Sequence, residues 1–294
     1  MKTIGVLPRS CGIHNGEFHA DEVTACALLI HFKLIDKDKI IRTREISHLE
    51  SCDFVCDVGG RYVPKERQFD HHQADYKGEL SSAGMIWEYL KEEKIISDVY
   101  FNYLHRVLIR GVDDIDNGRL QPIYGLCTFS SVISAFVPAE HGVVSEVELN
   151  DGFYEALEFV LGHIARVEKK FLYMQKCKET VRRVMEAMQE CLIFERAIPW
   201  LEAFFELGGE SHPAEFVIMP SGNQWKLRGV PPSFKKQMDV RRPLPLEWAG
   251  LLKDELQKVT GIGGAIFCHK GRFISVWQTK EDALKALKMV LDKR

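Results

Sequence analysis

Short apolar runs alternate with longer amphipathic ones through the first part of the chain. Residues 4–7 (IGVL), 12–14, 40–45 (IIRTRE) and 53–58 (DFVCDV) are apolar over strand lengths. Residues 21–35 (DEVTACALLIHFKLI), 81–93 (SSAGMIWEYLKEE) and 98–110 read as helices, with Asp21 near the start of the first and Ser81 or Ser82 capping the second. Strands separated by helices predict an α/β fold, a mostly parallel sheet flanked by helices. Farther on, Phe153, Leu157, Val160, Ile164, Val167, Phe171 and Met174 step by three or four, so residues 151–190 form a long helical region with one apolar face. That face suits a core or an interface, and pairing with a second copy through it would give a homo-oligomer. Past the turn at 207–213 (LGGESHP), short β-like runs broken by Gly and Pro (FVIMP, QWKLRGV, AIFCHK, RFISVW) lead to a final helix at 280–293. The expected division is a first domain over residues 1–190 and a smaller α+β domain over 191–294.

Composition narrows the class. The 294 residues are 46% apolar and 28% charged, a globular balance and not a disordered one. No run approaches the roughly 20 apolar residues of a spanning helix, so no membrane partner is expected. MKTIGVLPRS has too short an apolar stretch for a secretory signal. Eight scattered cysteines without a CxxC pair read as reduced thiols in a cytoplasmic protein.

Charge separates along the chain. Residues 191–294 hold 16 Lys and Arg against 12 Asp and Glu, whereas residues 1–190 carry a net −7. Between Pro220 and Arg242, Lys226, Arg228, Lys235, Lys236, Arg241 and Arg242 face only Asp239. An acidic front and a basic stretch behind it suggest metal in one place and phosphate in the other. Arg241 and Arg242 would grip phosphates, Lys226 and Arg228 would add to the basic surface, and Trp225 would stack a base.

The polar residues of the front part fall at strand ends. His14, His19 and Asp21 lie in GIHNGEFHADE; Asp57 ends a strand; Asp70, His71 and His72 stand together in QFDHHQ; Asp113 and Asp116 lie in GVDDIDNG. Ligands of open α/β sheets gather beyond the carboxyl ends of strands. Cysteine is absent from these segments, which argues against a structural zinc site. Mixed carboxylate and imidazole groups suit Mn²⁺, Fe²⁺, Co²⁺ or Zn²⁺, with Mg²⁺ where oxygens dominate. The number of candidate ligands calls for two divalent ions sharing a carboxylate, an arrangement suited to displacement at phosphorus. A histidine beside them would protonate the leaving oxygen or hold the phosphate.

Together HNGEFHADE, CDVGG, FDHHQ, SSAG and VDDIDNG, with RRPLPLEWAGL and GIGGAIFCHKGRF near the end, resemble the DHH phosphoesterase superfamily. Within it, the chain is most similar to the melanocyte-proliferating-gene family of metal-dependent exonucleases. The resemblance implies that His14, His19 and Asp21 are ligands and that Asp57 bridges two ions. It implies that His71 is a ligand oriented by Asp70, and that His72 meets the substrate phosphate. Asp113 would be the last ligand, with Asp116 an alternative or a supporter. His19 stands where the superfamily usually has an aspartate, and Ile274-Ser275-Val276-Trp277 where it often has Gly-Gly-His. The implied activity is 3′-to-5′ exonuclease action on RNA, with DNA as a further substrate, releasing nucleoside monophosphates with Mn²⁺ as the favoured ion. The first domain would be catalytic and the second would bind substrate. Two competing readings are a hydrolase of small phosphate compounds (pyrophosphate, short oligonucleotides, cyclic dinucleotides) and a non-catalytic nucleic-acid-binding module.

Overall fold

A computed structural model describes residues 5–121, 123–139 and 144–293. It divides into two compact units, residues 1–171 and 172–294. The division falls inside a long helix, whereas the composition changes near residue 190.

The first unit is built on a five-stranded sheet of order β2-β1-β3-β5-β4, formed by β1 (Leu7–Ile13), β2 (Ile40–Arg42), β3 (Cys52–Cys56), β4 (Tyr62–Val63) and β5 (Gln68–Phe69). Strand β1 pairs in parallel with β2 and β3, and β3 with β5; only β4 runs antiparallel. Helices α1 (Ala20–His31), α2 (Ile46–Leu49), α3 (Ser82–Glu92), α4 (Asp98–Leu104), α5 (Arg110–Asp116) and α6 (Phe129–Ser134) follow in chain order, with α7 (Glu146–Met185) crossing the unit boundary. A wider π turn, His105–Ile109, joins α4 to α5. The expected α/β architecture with a largely parallel sheet is observed.

The first strand differs from expectation. Ile4 lies outside the described residues, Gly5 and Val6 are exposed, and the strand begins at Leu7 and runs through Pro8-Arg9-Ser10. Polar residues masked it, because a bulge at Arg9 (φ +62°) interrupts the alternation before Cys11.

Phe153, Leu157, Val160 and Ile164 of α7 are fully buried, and Phe171 nearly so, in one core with Cys11, Ile13, Leu28, Phe54, Phe69 and Trp87. The stripe that suggested pairing with a second copy therefore packs inside its own unit as far as Phe171.

The second unit carries a sheet of order β6-β7-β8-β10-β9, from β6 (Cys191–Ile193), β7 (Phe216–Ser221), β8 (Gln224–Gly229), β9 (Ala265–Cys268) and β10 (Ile274–Trp277). Only the β6–β7 pair is parallel. Leu227, Trp277 and Trp248 pack with α9 (Lys253–Thr260) and α10 (Lys280–Leu291) in one core. Val217 and Met219, on the opposite face of β7, pack with Phe204 of α8 (Leu201–Glu206) in another. This is the expected α+β unit. Among the described residues, no helix is long and apolar enough to cross a membrane.

Candidate metal centre

The polar residues at the strand ends converge. His14 follows β1, Asp57 follows β3, and Asp70, His71 and His72 follow β5. Asp21 stands in the first turn of α1 and Asp116 ends α5. Asp57 takes a left-handed backbone (φ +58°), which aspartate tolerates better than most residues. Its main-chain N–H donates to Phe69 O at 3.0 Å, which pins the turn to β5.

Asp57 lies at the middle of the group. Its Oδ2 is 3.3 Å from His14 Nε2, and its Oδ1 is 3.2 Å from His71 Nε2. His14 Nε2 also lies 3.1 Å from Glu22 Oε1. His71 Nε2 lies 3.3 Å from Asp116 Oδ2 and 3.8 Å from Asp21 Oδ2. Two adjacent sets of donors result. His14, His19, Glu22 and Asp57 bring ligand atoms within 4.8 Å of one another, and so do Asp21, His71 and Asp116. A third grouping joins Asp57 to His71 and His72.

Both buried imidazoles have a defined outer nitrogen. His14 Nδ1 lies 3.0 Å from Asn15 O, a pure acceptor, so Nδ1 carries a hydrogen and Nε2 faces the carboxylates. The same logic fixes His71. Asn117 Nδ2 donates to Glu79 O (3.2 Å) and Asp113 O (3.1 Å), which leaves Asn117 Oδ1 to accept from His71 Nδ1 at 3.2 Å. Ligating histidines depend on such partners for ring orientation.

The electrostatics fit a cation. Asp21, Glu22, Asp57 and Asp113 are all buried. Burial, and then the Asp57 charge, raises Asp21; burial likewise raises Glu22 and Asp116, with neighbouring carboxylates adding to it. Burial opposes the charged His14, yet Asp57 and Glu22 outweigh it and push the imidazole up to about 10. His71 rises to about 9, burial again being overcome, chiefly by Asp57. Burial acts to raise Asp57 too, but the two imidazoles hold it below the usual carboxylate range. Asp21 Oδ2 accepts from Ser82 Oγ at 2.8 Å, while its Oδ1 is buried with no hydrogen-bond partner. An orphaned carboxylate oxygen among like charges costs free energy that a divalent cation would recover. By donor chemistry and by that orphaned atom, the residues present fit two divalent ions.

Some expected roles change. Asp113 does not join the convergent donors. Its Oδ1 accepts from Ser81 N (3.1 Å), Ser81 Oγ (2.7 Å) and Gly84 N (3.1 Å), so it seals the start of α3. Burial raises it to about 6 in spite of those donors. The space is tight, since a Cβ at Gly84 would run into the Asp113 carboxylate. Asp116 supplies the carboxylate at the cluster instead. Asp70 orients His72 and not His71: its Oδ1 accepts from His72 N (3.1 Å) and His72 Nδ1 (2.9 Å), and its Oδ2 from Gly60 N (2.6 Å). The His72 side chain is 64% exposed, with Nδ1 3.5 Å from Asp57 Oδ1. Glu22 and Asn117 belong to the site although the sequence reading passed over both. Glu22 was visible three residues after His19, whose N–H it accepts at 2.9 Å, but that spacing signals a helix start. Asn117 lay in an Asn-Gly pair that reads as a turn.

In the second unit, three of the five residues expected to meet substrate are engaged internally. The Arg241 guanidinium donates to main-chain carbonyls of Gly209 (2.6 Å), His212 (2.5 Å), Ala214 (2.9 Å) and Pro231 (3.2 Å). Arg242 donates to Glu215 Oε2 (3.1 Å) and Val290 O (2.5 Å). Trp225 packs against the core under Lys280, whose Nζ is 5.7 Å from the ring centroid. Lys226 and Arg228 are half-buried on the other face of β8, and no carboxylate among the described residues pairs with either. Burial lowers both, the neighbouring charge adding to the effect on Lys226.

The chain matches a family model, MYG1_exonuc, described as an uncharacterised protein family (UPF0160), over residues 10–291. It is 50% identical over 285 residues to the MYG1 protein of Chlamydia muridarum, covering 97% of each chain. It is 30% identical over 333 residues to the MYG1 exonuclease of Homo sapiens, covering 98% of this chain and 87% of that one. Among solved structures, RecJ of Thermus thermophilus in complex with Mn²⁺ aligns with a TM-score of 0.27 and 14% identity, over 96% of this chain and 52% of that one.

Proposed function

The chain belongs to the MYG1_exonuc family, and we propose that it is a metal-dependent exonuclease that shortens single-stranded RNA from the 3′ end and releases nucleoside monophosphates. The observation that carries the proposal is the division of the Asp57 carboxylate, one oxygen toward His14 and the other toward His71. A single carboxylate shared by two imidazole-containing sets is the geometry of a bridging ligand.

In this reading His14, His19 and Glu22 would hold one ion, Asp21, His71 and Asp116 would hold the other, and Asp57 would serve both. Bound divalent ions supply charge neutralisation at phosphorus and a water acidic enough to react near neutral pH. The softer imidazole content favours Mn²⁺ over Mg²⁺. Asn15 O and Asn117 Oδ1 keep hydrogens on the outer nitrogens of the two rings, so Nε2 of each stays directed at the carboxylates, where it would meet an ion. Asp70 holds His72 through Nδ1, which leaves Nε2 directed outward. From there the ring is placed to meet a phosphate oxygen or the departing ribose oxygen. In the second unit, Lys226 and Arg228 contact the phosphates of the RNA, supported by their half-buried positions without acidic partners among the described residues.

The test uses 5′-labelled single-stranded RNA and its DNA counterpart with Mn²⁺, comparing wild type with Asp57→Asn. A ladder receding from the 3′ end in wild type alone is expected, with RNA favoured. RNA left intact while pyrophosphate or a cyclic dinucleotide is hydrolysed would replace the exonuclease by a small-phosphate hydrolase. No activity with Mn²⁺, Mg²⁺ or Co²⁺ on any of these would leave a binding module.

A further inference from the structure

A cavity of about 730 Å³ opens directly off the metal-site residues. That volume is within the range of small-molecule sites. Its lining includes His71, His72 and Asp116 together with Ile115 of α5 and Leu126 and Ser130 around the start of α6. From the geometry we infer that this cavity is a nucleoside subsite, which takes the base and sugar of the terminal nucleotide whose phosphate lies at the metal cluster. The inference deepens the phosphodiesterase reading and rests on it.

The lining combines two chemistries. The imidazoles and the carboxylate suit a phosphate and its ions, whereas Ile115 and Leu126 present apolar surface of the kind that a base face covers. Leu126 is 64% exposed, a large apolar side chain in water beside a charged site. The loop that delivers it also exposes Ile123 and Tyr124. Of these, Leu126 lines the cavity itself.

The cavity hydroxyls are mostly engaged. Thr128 Oγ1 accepts from Ser131 N (3.1 Å), Ser131 Oγ donates to Thr128 O (2.7 Å), and Ser134 Oγ donates to Ser131 O (3.0 Å). Ser130 lines the same cavity, and among the described residues its hydroxyl makes no hydrogen bond. It is therefore the group placed to meet a ribose hydroxyl or a base edge, with Leu126 supplying the apolar contact. A charged phosphate alone would leave the apolar lining of the cavity to water. A whole nucleotide uses both the polar and the apolar lining.

The experiment is equilibrium binding to the Mn²⁺-loaded full chain, with adenosine 5′-monophosphate against ribose 5-phosphate. The two probes share phosphate and sugar and differ only in the base. Wild type is expected to prefer the nucleotide by about tenfold or more, and Leu126→Ala to bring the ratio close to one. Ser130→Ala is expected to weaken the nucleotide by a smaller factor, on the order of threefold. Equal affinities in wild type, or a preference that Leu126→Ala does not change, would overturn the subsite. Leu126 is exposed, so its truncation does not threaten the fold. The two readings fail separately. RNA shortening without base preference removes the subsite and leaves the exonuclease. Base preference without RNA shortening leaves the subsite and removes the exonuclease.

Discussion

Loading the metal centre should expel protons, and the number can be worked out from the cluster. In the metal-free protein both nitrogens of His14 face acceptors, Asn15 O on one side and Glu22 and Asp57 on the other. The ring is raised to about 10, and His71, in the same situation, to about 9. At pH 7.5 both imidazoles therefore carry a proton that a cation at Nε2 must displace. Glu22 and Asp116, also raised, add a fraction each. Two ions should release at least about two protons together, and the affinity of each site should rise about tenfold or more per pH unit between 6 and 8. The sign follows from mass action, because protons compete for the ligand atoms and binding tightens as pH climbs toward the raised values. Titration calorimetry with Mn²⁺ in buffers of different ionisation enthalpy reads the count as a slope. Glu22→Gln should reduce it and weaken one site more than the other. A slope near zero, with affinity constant from pH 6 to 8, would mean that the imidazoles do not face the ions, and the assignment of both sites would fall.

Other outcomes test single contacts. Asp57→Asn should abolish RNA shortening and lower affinity at both sites with little change in Tm, since asparagine also accepts the left-handed backbone; activity above a few per cent would remove the bridging role. Asn117→Ala should lower Mn²⁺ affinity about 10- to 100-fold by freeing the His71 ring, a range typical of outer partners of metal ligands; unchanged affinity in a metal titration would refute it. Gly84→Ala should destabilise the first unit by about 3 kcal/mol by disrupting the hydrogen bonds at Asp113, lowering Tm by roughly 6–12 °C in a thermal melt; a wild-type Tm would show that the carboxylate has room. Arg241→Ala should lower Tm by roughly 10 °C through several orphaned carbonyls, with KM for RNA unchanged; a raised KM at constant Tm would restore the arginine to substrate binding.

Strand and helix periods placed β2, β3, α1, α3 and α10 to within a few residues, because each carries a run or stripe of apolar residues that the fold buries wholly or in part. The metal cluster was legible for the same reason: polar residues ending apolar strands have no core to enter. What stayed hidden depends on which partner a polar atom finds. Asp113 and Asp116 sit three residues apart on one helix with like chemistry, and only the packed start of α3 decides that the first is a cap. Asp70 precedes both histidines, and only the turn geometry directs it to His72. Arg241 read as a phosphate grip because its acceptors are main-chain carbonyls, which no side-chain sequence displays. Glu22 is a carboxyl group with no exposed surface, and a helix-start pattern accounts for it equally well until the fold buries it.

The left-handed backbone at Asp57 has an evolutionary corollary. Glycine, asparagine and aspartate are the residues that hold such a conformation at low cost. A lineage that abandoned the chemistry would be free to lose the carboxylate but not the turn that ties β3 to β5. Relatives that have become inactive should carry asparagine or glycine at this position far more often than alanine or serine. An alanine here would mark a chain whose strand-end loop has itself been rebuilt. One backbone angle thus separates two kinds of decay, loss of reaction with the scaffold kept and loss of the scaffold.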